Sequence, residues 1–114
     1  MHLRQTVAAA AASFALLLAL PHPAGAAVGE FRYTYYDDFG NRTAGVLVDP
    51  DSRTCVTLPE VADPYTTEPA FAPQNFTGST VTMFTGSDCD GDYYSLRPGG
   101  RASDRLKLRS ALFS

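Results

Sequence analysis

Histidine is almost missing from this chain, and the two present, His2 and His22, both fall near the start. Tryptophan is absent, lysine occurs once as Lys107, and the only cysteines are Cys55 and Cys89. Each shortage excludes some chemistry. With no imidazole after His22 there is no Ser–His or Cys–His pair for nucleophilic catalysis and no histidine zinc site. If Cys55 and Cys89 are bridged, no thiolate remains. A catalytic carboxylate pair has candidates among the twelve acids, but a domain this small has little room for a sugar-burying cleft. No catalytic residue, cofactor or metal is expected. The mild excess of acids also argues against a nucleic-acid partner, which needs a basic footprint.

The chain's one long apolar run comes first. Arg4 precedes Val7–Leu20, which is broken only by Ser13 and ended by Pro21 and Pro23; Ala24-Gly25-Ala26 then offers an A-x-A cleavage site. This layout predicts a secretory signal helix over residues 1–26, cleaved before Ala27. The run is short for a membrane span, so no membrane insertion is expected after cleavage. A secreted, extracellular domain over residues 27–114 follows. At this size a hydrophobic core alone is marginal. In an exported chain Cys55 and Cys89 read as one disulfide. The loop it closes is worth about 3–4 kcal/mol in the chain-entropy model.

Strand signals dominate the remainder. Phe31, Tyr33 and Tyr35 alternate with Arg32, Thr34 and Tyr36, and Asp37–Asn41 supplies turn residues before a returning strand over 43–48. Further strands are predicted over 54–58, 79–84, 92–97 and 106–113. Residues 59–79, punctuated by Pro59, Pro64, Pro69 and Pro73, read as a long connection pinned by Phe71 and Phe76. Arg97, Arg101, Arg105, Lys107 and Arg109 cluster near the end and read as a solvated strand face. Short strands at this spacing predict an all-β fold, a small Greek-key sandwich.

One segment carries more than composition. Phe84 is followed by Gly91, and Ser110 stands near the end of the last strand. This aromatic–glycine–serine skeleton resembles the Greek-key motif of the βγ-crystallin superfamily. The resemblance implies a folded hairpin opened by Phe84, an unusual backbone conformation at Gly91, and a Ser110 hydroxyl bonded to the hairpin backbone. Cys89 replaces the second aromatic residue of that pattern. The first half shows no clean second copy. As a whole the chain resembles small secreted actinobacterial proteins of that superfamily, which include metalloproteinase-inhibitor-like and killer-toxin-like members.

Function then rests on surfaces. The leading expectation is a secreted, monomeric, non-enzymatic binding protein that inhibits an extracellular protease or acts as a toxin. The alternative is a structural or carbohydrate-binding module of the cell envelope, acting on a cell-surface component. A protease contact is expected at Thr54 and Val56, stiffened by Cys55, or on the Pro-rich loop 59–73. Tyr33, Tyr35, Tyr36, Tyr93 and Tyr94 are the candidate sugar platform. Asp88, Asp90 and Asp92 alternate around Gly91 but match no calcium template: the twelfth position from Asp88 is Gly99, and Arg105–Arg109 precedes Ser110. Asn41-Arg-Thr43 and Asn75-Phe-Thr77 match glycosylation acceptors, relevant only in a eukaryotic secretory route.

Overall fold

A computed structural model describes residues 25–114. The signal-helix assignment lies outside the described residues, apart from Gly25 and Ala26. Among the described residues, no helix is long and apolar enough to cross a membrane.

Strands β1 (Gly29–Tyr36) and β2 (Arg42–Val48) form the predicted hairpin. Its turn is tight because the Asp37 carboxylate accepts the N–H groups of Phe39 and Asn41 at 2.9 and 2.8 Å. Then follow β3 (Cys55–Thr57), β4 (Ala70–Thr77), β5 (Val81–Phe84), β6 (Tyr93–Leu96), β7 (Lys107–Leu108) and β8 (Ser110–Phe113). They make two four-stranded sheets, ordered β2-β1-β4-β7 and β3-β8-β5-β6, and every pairing between named strands is antiparallel. The domain is an all-β sandwich.

Alternation decides which residues lie between the sheets. Phe31 and Tyr33 of β1, Ala70 of β4 and Leu108 of β7 face Val81, Met83, Ala111 and Phe113 of the second sheet. Phe31 and Phe113 meet edge-on, with ring centroids 5.4 Å apart. Fully burying side chains of this size contributes roughly 1.5–3 kcal/mol each. Gly45 lets β2 pass beneath Tyr33, since a Cβ there would stand only 2.2 Å from the tyrosine ring.

Two segments differ from the sequence expectation. Residues 59–79 are not one connection: a 3₁₀ turn (Pro59–Val61) and a loop lead into β4, which pairs with both β1 and β7. Pro73 is tolerated because the register slips there. Arg32 faces Gln74 and Thr34 faces Phe71, leaving Ala72 and Pro73 together opposite Tyr33, with Ala72 at φ 52°. The missing proline donor falls inside this bulge, where the ladder is already broken. Phe71 is 2% exposed and Phe76 46%; neither is in the central core cluster. The expected final strand is also divided. Leu108 pairs with Ala70 in the first sheet and Ser110 with Phe84 in the second, so the chain changes sheets at Arg109.

A repeat emerges that the sequence does not display. Advancing each strand of the first sheet by four places converts β2-β1-β4 into β6-β5-β8, and β7 corresponds to β3. The chain is therefore two four-strand halves, each lending its third strand to the other half's sheet. The halves differ in their first hairpin. That of the second half, residues 85–92, folds back over the outer surface of its sheet. Ser110 lies on that surface beneath it, fully buried, and Cys55, exposed beside it, is bonded to Cys89 of the hairpin. The β1–β2 turn is too short to do the same for the first sheet.

Candidate functional site

The sequence-predicted residues gather at one end of the sandwich. The Cys55–Cys89 disulfide closes 34 residues and ties β3 to the folded hairpin. The Ser110 hydroxyl accepts the Cys89 N–H at 2.8 Å and donates to the Gly86 carbonyl at 2.6 Å. Gly91 has φ 87°, and an added Cβ would lie 2.4 Å from Thr85 Oγ1. Phe84 packs on Tyr93, with ring centroids 6.1 Å apart. Thr54 is exposed on the approach to β3, while Val56 is half-buried. Asp88 is engaged with Thr57, whose hydroxyl accepts its N–H at 3.0 Å. No three His, Cys, Asp or Glu side chains group as metal ligands among the described residues.

The tyrosines do not form one platform. Tyr33 is buried, Tyr36, Tyr93 and Tyr94 are exposed, and Tyr35 packs against the core.

The more developed feature at this end is the loop from Pro59 to Pro69. Its backbone is held from several directions. Leu58 donates its N–H to the Arg109 carbonyl at 2.8 Å, and the Ser87 hydroxyl of the folded hairpin donates to the Ala62 carbonyl at 2.5 Å. The main clamp is Arg109. It is 8% exposed, and its Nη1 donates to the Val61 carbonyl and Thr67 Oγ1 at 2.9 and 3.0 Å. Its Nη2 donates to the Thr67 carbonyl at 2.8 Å. A planar guanidinium suits this task because its donors fork in fixed directions.

Inside the clamp the chain turns on Asp63. Its side chain accepts the Tyr65 N–H at 2.9 Å and its carbonyl accepts the Thr67 N–H at 3.1 Å. Pro64, Tyr65 and Thr66 form the tip, and Tyr65 is 95% exposed. Beside the loop runs a cleft of about 650 Å³, bounded by Tyr35, Tyr36, Asp37, Asp38, Glu60 and Glu68. Phe39 stands 88% exposed on the β1–β2 turn. Phe39 and Tyr65 are thus displayed by the turn and the loop, the two segments that border this acidic cleft.

No family model, curated protein or solved structure matches the chain.

Arg109 and Tyr65 are the residues the sequence reading missed. Arg109 belongs to a run of basic residues and looks like surface charge. The one available signal is its place at the break between two alternating apolar runs. Tyr65 is a lone aromatic in a polar, proline-rich stretch, where nothing in the pattern separates a pinned ring from a displayed one.

The clamp has a titratable element. The Tyr33 hydroxyl donates to Glu60 Oε1 at 2.7 Å, joining the core to the start of the loop. Burial, and then that hydrogen bond, push the Tyr33 phenol well above its ordinary value near 10.0. Above about pH 10 the unfolded tyrosine releases its proton while the folded one keeps it. Its contribution to stability is intact below that pH and declines as pH rises, by about 1.4 kcal/mol per unit, until the folded pKa is passed. Urea midpoints between pH 9 and 11 should therefore fall, and Tyr33→Phe should flatten the decline. An equal decline in the variant would refute this assignment.

Proposed function

We propose that this is a secreted, non-catalytic binding protein whose clamped loop seats Tyr65 in a groove of a protein partner, and that the partner is an extracellular protease. The observation that carries the reading is the contrast at the loop: a backbone fixed by buried Arg109, and a tyrosine displayed at its tip. Preorganised segments bind with less ordering cost, and tyrosine is among the residues that dominate interface energies. A proline on each side of the tip and a fixed backbone also oppose cleavage of the loop itself. The tip is a turn rather than an extended strand, so the reading is of a side-chain plug, not a substrate mimic. The exchanged strands and the serine–hairpin bonds support a βγ-crystallin-like ancestry with inhibitor-type members. Secretion rests on the signal-like start and accords with the disulfide.

The test is inhibition by the purified domain of a thermolysin-like metalloprotease and a chymotrypsin-like serine protease. Tyr65→Ala should weaken inhibition about 30-fold, the size of a 2 kcal/mol hot spot, with an unchanged melting temperature because the ring is exposed. Thr54→Ala and Val56→Ala probe the neighbouring contact expected from the sequence. Absence of inhibition of both enzymes at micromolar excess would remove them as partners. Undiminished inhibition by Tyr65→Ala would move the contact off the loop.

A further inference from the structure

The outer face of the first sheet has no counterpart to the hairpin that covers the second. Register assigns its occupants. Glu30, Arg32, Thr34 and Tyr36 of β1 share this face with Arg42, Ala44, Val46 and Val48 of β2. β4 adds Phe71, Gln74 and Phe76, and β7 adds Lys107 opposite Phe71. Arg101 joins it through an isolated bridge to Gln74.

Charge on this face runs against that of the chain. Arg32, Arg42, Arg101 and Lys107 meet two carboxylates here, Glu30 and Asp104. Over the rest of the described residues four cations face ten carboxylates. The cations are also arranged on aromatic rings. The Arg42 guanidinium and the Lys107 ammonium lie 5.1 and 4.7 Å from the Phe71 ring centroid. Arg32 lies 5.5 Å from that of Phe76. Such contacts hold the charged heads in place; Arg32 also donates Nε and Nη2 to Glu30, and Arg42 its Nη2 to Asp104. Arg101 and Lys107 make no ion pair among the described residues. Next to Arg32 is a shallow recess of about 390 Å³ lined by Gly29, Glu30, Arg32 and Phe76.

We infer that this face binds an acidic polysaccharide, a chain of sugar rings bearing carboxylates. A ring face laid on the half-exposed Phe76 places substituents beside Arg32. Arg101 and Lys107, reached across neighbouring strands spaced about 4.8 Å apart, take further carboxylates along the chain. Carboxylate geometry matches the forked donors of arginine. A neutral glycan would leave Arg101 and Lys107 without partners. A nucleic acid carries charge far more densely, and so few cations on an acidic domain match it poorly. This face is separate from the loop that carries Tyr65.

The test is binding of polygalacturonate by calorimetry in low salt, with methyl-esterified polygalacturonate and single-stranded DNA in parallel. Saturable binding to polygalacturonate is expected, at least tenfold weaker to the esterified polymer and to DNA. The double variant R101Q/K107Q, altered only at exposed positions, should lose at least tenfold in affinity with an unchanged melting temperature. Phe76→Ala should lose as much, while Tyr65→Ala should bind like the wild type. No binding, equal binding of the esterified polymer, tighter binding of DNA, or indifference to R101Q/K107Q would each overturn the inference.

Discussion

Replacing Arg109 with methionine is expected to lower the unfolding free energy by about 3 kcal/mol, a large share of the stability of a domain this size. Methionine fills much of the same volume and keeps the apolar stem. The loss is therefore in the head group. Val61 and Thr67 carbonyls that now accept from a charged donor would be left inside without partners. Bonds to charged groups are worth roughly 1.5–3 kcal/mol, and stranded acceptors add a desolvation cost. Arg109→Lys should recover less than half, because one ammonium cannot span the separate acceptors. Urea unfolding reads the stability. Brief chymotrypsin digestion reads the loop, which should resist in the wild type and be cut after Tyr65 in the methionine variant. A variant within about 0.5 kcal/mol of wild type would show that Arg109 is not the clamp.

Removing the disulfide by the double change Cys55→Ala, Cys89→Ala is expected to cost about 3–4 kcal/mol, given the 34-residue separation it spans. The effect has a location as well as a size. The bond holds β3, an outermost strand of the second sheet, to the hairpin carrying Ser87, which in turn holds Ala62. Loss should therefore loosen the loop as well as the domain. Amide exchange near residues 55–63 should rise more than in β1 or β4. Calorimetric melting of the double variant, beside the reduced wild type, gives the magnitude. A fall of less than 1 kcal/mol, or a uniform rise in exchange, would contradict this picture.

Much of the sandwich could be read in advance because its signals are local. The Phe31–Tyr33–Tyr35 alternation and the Asp37–Asn41 turn define the first hairpin without help from distant residues. The pairing of Cys55 with Cys89 needed only their number and an oxidising compartment. β4 was hidden by its prolines: the bulge that accommodates Pro73 depends on how Tyr33 of another strand is met. The split between β7 and β8 was hidden for a similar reason. Leu106, Leu108, Ser110 and Leu112 can be read as one alternating strand, and that reading conceals the change of sheet at Arg109. The candidate loop was visible as a proline-rich connection, but its clamp joins residues 42 to 48 positions apart. Likewise Arg32, Arg42, Arg101 and Lys107 are scattered along the chain, and only strand register puts them on one face.

The exchange of third strands has a consequence for how this chain can be divided. β3 belongs to the first half but is sheltered by β8, and β7 belongs to the second but rests on β4. Neither half can complete a sheet alone, so a fragment ending near residue 80 keeps β2-β1-β4 together but leaves β3 without β8 and β4 without β7. The halves must be assembled together, through contacts distant in sequence, which places folding toward the slower millisecond-to-second range of β-rich domains. Cys55 and Cys89 come together only once β3 has crossed to the other half. The rate of oxidation during refolding therefore times that crossing.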